Sequence, residues 1–187
     1  VKSNQVVIGN GSDELIDLLI RCFCEPKQDN LIICEPTFGM FKVYAQLNNI
    51  EVLNASLMKE SFLFDEQLIL KTVTTNTKLI FICSPNNPTG TSISIEQLKA
   101  IATNFDGIVV VAALRVGAAY SNSSIIDILN KVRPPFNINS NSQELILNSL
   151  RKSTIKDTLV ESILKQKIYL ENELKQLPFV KNITESD

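Results

Sequence analysis

Short, wholly apolar runs separated by segments of helical period constrain this chain more than any other feature. QVVI (5–8), NLIICE (30–35), EVLNAS (51–56), KLIFIC (78–83) and GIVVV (107–111) are rich in Val, Ile and Leu. Several lack the polar alternation of a strand with one wet face, so they predict strands buried on both faces, as in a parallel sheet. Between them lie helices with legible starts. Ser94 and Gln97 form a Ser-x-x-Gln capping box over 94–105, ahead of a stripe of Ile95, Leu98, Ile101, Ala102 and Phe105. A second helix is expected from about Ser12 to Cys24. Such alternation predicts an α/β fold, a mostly parallel sheet flanked by helices.

The last third changes character. SSIIDILNKVR (123–133) and QELILNSLR (143–151) read as helices separated by the breaker PPFN. A longer amphipathic pattern follows over 154–177, with Leu159, Ile163, Leu170, Leu174 and Leu177 at helical spacing. The expected organisation is a large domain over 1–153, a linking helix over 154–177 and the start of a small C-terminal domain over 178–187.

Charge and composition exclude several classes of partner. With 18 Lys and Arg against 20 Asp and Glu the net charge is −2, so no basic field collects nucleic acid or an anionic membrane. No apolar run approaches the roughly 18 residues of a bilayer span, and VKSNQVVIGN shows no signal-peptide core. The expectation is a cytoplasmic protein. Cys22, Cys24, Cys34 and Cys83 stand without any His and without a C-x-x-C spacing, so no metal site is expected and all four read as reduced, packed thiols.

In an open α/β sheet, ligands collect beyond the carboxyl ends of the strands, which selects four loops. In IGNGSDELIDLL (8–19), a strand, two glycines and then Ser12 and Asp13 open a helix, an arrangement suited to a phosphate but equally to an ordinary helix start. The stretch does not match the G-x-x-x-x-G-K-[ST] nucleotide loop. In CEPTFGMFKVY (34–44), Phe38 either projects over a flat ligand or joins Phe41 in the core. In SPNNPTG (84–90), Pro85 and Pro88 restrict the backbone around Asn86 and Asn87, so an amide aimed at a ligand loses little entropy. In LRVGAAYS (114–121), Arg115 sits in an apolar, small-residue strand and needs an anion, either a phosphate or a structural carboxylate.

GNGSDELIDLLIRCFC, EPTFGMFKVYAQ, SPNNPTG and LRVGAAYS, in this order, resemble the pyridoxal-phosphate-dependent aminotransferases of fold type I, and among them the histidinol-phosphate aminotransferases. The resemblance covers nearly the whole chain. It implies the large domain of the aspartate aminotransferase-like fold, with pyridoxal 5′-phosphate as cofactor, an amino donor and a 2-oxo acid as substrates, and a homodimer. By the same resemblance Ser12 and Asp13 contact the cofactor phosphate, and Phe38 takes the place of an aromatic residue, often Tyr, stacked on the pyridine ring. Asn87 hydrogen-bonds the ring's phenolic oxygen, and Arg115 pairs with the phosphate.

Two groups that this chemistry requires are not found. The family's Schiff-base Lys and the carboxylate facing the pyridine nitrogen come from the interval between the counterparts of GIVVV and LRVGAAY, which here is only Ala112 and Ala113. Lys78 begins its strand on the wrong edge, Lys99 lies on a helix flank, and Lys152, Lys156, Lys165 and Lys167 lie in the helical tail, so none replaces it. Read literally, GIVVVAALRVGAAYS is one strand of about 50 Å, far beyond the usual length. Folded as a hairpin, it would turn at Val-Ala-Ala-Leu without Gly, Asn, Asp or Pro. The reading is that a segment of the molecule is left out near 111–114. The alternatives are a non-catalytic remnant that binds cofactor or phosphate or only dimerises, and another fold type I enzyme.

Overall fold

The computed structural model describes residues 2–112, 117–135, 137–151 and 153–184. By contact the chain divides into one unit running through Asn137 and a second over Ile138–Thr184.

Among the described residues the first unit holds six strands: β1 (Val6–Gly9), β2 (Asn30–Ile33), β3 (Glu51–Asn54), β4 (Thr77–Cys83), β5 (Ile108–Ala112) and β6 (Gly117–Tyr120). Its helices are α1 (Gly11–Phe23), α2 (Met40–Leu47), α3 (Glu66–Thr72), α4 (Ile95–Asn104) and α5 (Ser123–Val132). Strands β3-β2-β4-β5 form a parallel sheet in that order, as the apolar runs predict. Strands β1 and β6 form a separate antiparallel pair, with Val6 opposite Tyr120 and Gly9 opposite Gly117.

Among the described residues, the apolar run over 107–121 shows no pairing of its first half with its second. Its two halves are β5, paired with β4, and β6, paired with β1. Residues 113–116 between them, Arg115 included, lie outside the described residues.

Period-two alternation sorts the parallel sheet into two cores. Leu31, Ile33, Leu79 and Phe81 meet α1, α2 and α5 on one face. Ile32, Ile80 and Ile82 meet Ile69 of α3 and Ile101 of α4 on the other. Strand β4 lies between two neighbours and every residue from Leu79 to Ile82 is fully buried, worth about 1.5–3 kcal/mol for each side chain. Phe41 stacks on Phe81 with ring centroids 4.8 Å apart, fixing α2 against the sheet.

The sheet's amino edge is closed by a polar cluster. Buried Thr77 donates its hydroxyl to Asn30 Oδ1 at 2.6 Å, and Asn30 Nδ2 donates to Thr74 Oγ1 at 2.9 Å. Lys78 pairs with Asp29 at 3.8 Å on this same edge, away from the carboxyl ends.

The second unit contains α6 (Ser140–Arg151), whose start is capped by Asn139 Oδ1 accepting from the Ser142 N–H at 2.9 Å, and α7 (Ser153–Lys175). Leu159, Ile163 and Leu170, part of the expected stripe, are exposed on α7. No helix among the described residues is long and apolar enough to cross a membrane.

Candidate functional site

The carboxyl ends of β1, β2 and β4 carry the loops that the sequence singles out. Beyond β1 the chain turns at once into α1. Gly9 permits this, since a Cβ there would lie 2.7 Å from Leu15 Cγ, and Gly11 has φ +79° with open space beside its Cα. The helix begins at Gly11, one residue ahead of the expected Ser12, with Asn10 at its cap. Asp65, Ser94 and Asn122 each cap their helix by accepting a backbone N–H, whereas the Asn10 side chain does not. The positive end of α1, a helix of 13 residues, is thus left without a capping side chain around Ser12 and Asp13.

A carboxylate holds this turn from behind. Glu14 Oε2 accepts from the Asn10 backbone N–H at 2.5 Å and from Asn137 Nδ2 at 2.9 Å. Asn137 Nδ2 also donates to the Ile8 carbonyl at 3.2 Å, and Arg133 Nη1 approaches that carbonyl at 3.4 Å. Asp13 Oδ1 is buried and has no hydrogen-bond partner among the described residues. Such an atom is costly unless a donor reaches it. Tyr44 on α2 lies close enough that burial first, and then Asp13 and Asp17, push its hydroxyl pKa upward.

The loops after β2 and β4 are tied by one asparagine. Buried Asn86 donates through Nδ2 to the Pro36 carbonyl and to Thr89 Oγ1, both at 2.8 Å, and its Oδ1 accepts from the Thr37 hydroxyl at 3.0 Å. Its backbone closes the turn, with N–H to Thr91 O at 2.8 Å and carbonyl to Gly90 N–H at 2.7 Å. Asn87 behaves differently. Its backbone N–H meets Cys83 Sγ at 3.4 Å while the residue stays exposed at the end of β4. The two amides of SPNNPTG are thus divided between structure and solvent-facing surface.

Phe38 packs against the core beside Phe41. It is half-buried, its ring edge-on to Phe41 at 5.6 Å and 86°. Glu35, just past β2, accepts from Asn54 Nδ2 at 3.0 Å and from Lys42 Nζ at 3.4 Å.

The structure therefore places Ser12 and Asp13 at the start of α1, Phe38 after β2 and Asn87 after β4, and it joins the latter two loops through Asn86. Arg115 lies outside the described residues. Among the described residues no group of three or more His, Cys, Asp or Glu is placed to hold a metal ion. The four cysteines are unpaired, and burial pushes the Cys34 thiol up to about 12.

The sequence did not reveal the Glu14, Asn137 and Arg133 support or the fixed role of Asn86. The i, i+4 spacing of Asn10 and Glu14 was visible, but Asn137 lies 123 residues from Glu14.

Comparison with known proteins decides the family. The model for aminotransferase class I and II matches the chain in two pieces, residues 1–112 and 108–186. The chain belongs to this family. Histidinol-phosphate aminotransferase of Cytophaga hutchinsonii is 39% identical over 222 residues, covering all of this chain and 64% of that protein. The Flavobacterium psychrophilum protein of the same name is 37% identical with the same coverage. The chain thus spans 64% of the length of these curated relatives. In fold it is similar to the histidinol-phosphate aminotransferase from Clostridium acetobutylicum, with TM-score 0.87 at 19% identity over 97% of this chain and 65% of the other. A Thermus thermophilus aspartate aminotransferase gives TM-score 0.64 at 19% identity over 71% and 47%. Class I and II aminotransferases depend on pyridoxal phosphate.

Proposed function

We propose that the chain is the cofactor-binding part of an aminotransferase that moves an amino group between histidinol phosphate and 2-oxoglutarate. The observation that carries the proposal is the placement of the α1 start and the two Asn86-linked loops at the carboxyl ends of β1, β2 and β4, in a chain whose relatives bear that name.

These residues fit one end and one edge of the cofactor. The uncapped turn of α1, with the Ser12 hydroxyl and the Asp13 N–H, binds the phosphate, and Arg115 supplies the opposing charge. Phe38 lies against the ring, and the exposed Asn87 amide donates to the phenolic oxygen. Asn86 holds the loop of Asn87 in register with that of Phe38. When bound, pyridoxal phosphate supplies an electron sink that weakens the bonds at an amino-bearing carbon. No residue of this chain is assigned the Schiff base or the carboxylate at the ring nitrogen. The domain limits at 153 and 177, a homodimer and a cytoplasmic location belong to the same proposal.

One observation favours a second reading, a remnant that binds cofactor or phosphate without catalysis. The family match breaks in two at 108–112, and alignment to the Cytophaga relative runs over 222 residues against the 187 of this chain, a difference of 35. By the resemblance, that interval carries the Schiff-base Lys.

Intact mass of the protein purified from its native source, followed by cofactor titration and borohydride treatment, separates the two. A mass well above 20.8 kDa, a cofactor fixed by borohydride and transfer from histidinol phosphate to 2-oxoglutarate are expected of the enzyme. A mass of 20.8 kDa with reversible binding only supports the remnant. Failure to bind either the cofactor or inorganic phosphate refutes both.

A further inference from the structure

Asn86 ties the loops after β2 and β4, and it is itself held from the side away from Pro36. Thr91, 6% exposed, donates its hydroxyl to the Phe62 carbonyl at 2.9 Å. A hydroxyl carries one proton, so the 2.8 Å contact between Thr89 Oγ1 and Thr91 Oγ1 is donated by Thr89. Thr89 accepts in turn from Asn86 Nδ2 at 2.8 Å, and Asn86 Oδ1 accepts from the Thr37 hydroxyl at 3.0 Å. The four donors therefore point one way, from Thr37 through Asn86, Thr89 and Thr91 to Phe62. Hydrogen bonds aligned in this sense polarise one another, so losing the last weakens those before it. Thr91 also reaches Asn86 directly, its carbonyl accepting the Asn86 backbone N–H at 2.8 Å.

This run of bonds ends on a backbone that needs holding. Phe62 has φ +54° and Glu60 φ +71°, a left-handed conformation that side chains other than glycine rarely adopt. The loop around them is exposed at Met58 and Leu63, and it closes on itself through Phe62 N–H to Met58 O and Met58 N–H to Leu63 O, both at 2.9 Å. Such a loop keeps one conformation only where its surroundings over-determine it. The Thr91 hydroxyl does this at Phe62, and Gln97 Nε2 of α4 does it at the Phe64 carbonyl, at 3.0 Å.

We propose that Thr91 is a positioning residue for the candidate cofactor site, acting through Thr89 and Asn86 on the loops of Asn87 and Phe38 and tying their order to that of the loop over 58–63. The inference rests on the cofactor reading and adds to it a residue that touches neither the ring nor the phosphate.

Three substitutions in the full protein test it. Thr91→Val keeps the branched shape and removes the donor, whereas Thr91→Ser keeps the donor. Thr77→Val is the control, since it removes a hydroxyl of equal burial from the amino end of β4, where it bonds Asn30. In a spectroscopic titration with pyridoxal phosphate, Thr91→Val is expected to weaken binding about fivefold, Thr91→Ser to stay within about twofold, and Thr77→Val to leave it unchanged. Coupling runs both ways, so cofactor binding to the unmodified protein is expected to slow hydrogen exchange at the Phe62 N–H about fivefold, a readout that needs no variant to fold. Unaltered binding by Thr91→Val, equal weakening in Thr77→Val, no rescue by Thr91→Ser, or a Phe62 N–H indifferent to cofactor would each overturn the role of Thr91 and leave the cofactor reading in place. No binding by the unmodified protein would overturn the two together.

Discussion

Asn86 donates its side-chain amide to the carbonyl of Pro36 at 2.8 Å, so a residue after β4 carries the loop that follows β2. The link joins segments 50 residues apart at the end of the sheet where the candidate site lies. Replacing Asn86 with Ala removes the partner of the Pro36 carbonyl and of the Thr37 hydroxyl, while Thr89 keeps its contact to Thr91, and is expected to cost about 2–3 kcal/mol in urea denaturation. The neighbouring Asn87→Ala change, on an exposed side chain, is expected to stay within about 0.5 kcal/mol. Equal losses at the two positions would contradict the division of labour between them.

Asn87 is predicted to matter for ligand rather than for fold. In a spectroscopic titration with pyridoxal phosphate, Asn87→Ala is expected to weaken binding about tenfold, the size of one lost hydrogen bond, while the denaturation midpoint without cofactor is unchanged. An unaltered titration removes Asn87 from the site.

Glu14 is predicted to set the α1 turn. Glu14→Ala removes the acceptor for the Asn10 N–H and for Asn137, and is expected to destabilise by about 1–3 kcal/mol. Inorganic phosphate should raise the melting temperature of the unmodified chain, and raise it less in Glu14→Ala. Glu14→Gln keeps an acceptor oxygen and should retain most of the phosphate effect.

The buried thiols give a pH dependence of defined sign. Burial raises the Cys34 thiol from 9.0 to about 12; for Cys24, burial leads, Asp29 adds to it and Lys78 opposes, again reaching about 12. Between these values the unfolded chain has lost protons that the folded chain retains. The contribution is therefore complete below 9.0 and declines as pH rises toward about 12. Denaturation across that window should show falling stability, less steep in Cys34→Ala. Alkylation of Cys34 should require unfolding.

The sequence by itself determined the alternation of strand and helix and a parallel sheet of strands buried on both faces, and it marked the loops at their carboxyl ends as candidates. These rest on local signals: wholly apolar runs such as 79–82, the Ser94 capping box and the glycines around the α1 turn. Helices α2 and α3, of eight and seven residues, are too short for their period to declare itself, and the Asp65 cap of α3 is seen only in the structure. Only the tertiary structure decided that β6 turns back antiparallel to β1, that Asn86 is spent on the backbone while Asn87 stays outside, and that Asn137 reaches Glu14. The reason is physical. Periodicity and capping are written within one or two turns of chain, whereas strand partners and buried polar links are chosen among segments up to 129 residues apart, where only the assembled core settles which groups meet.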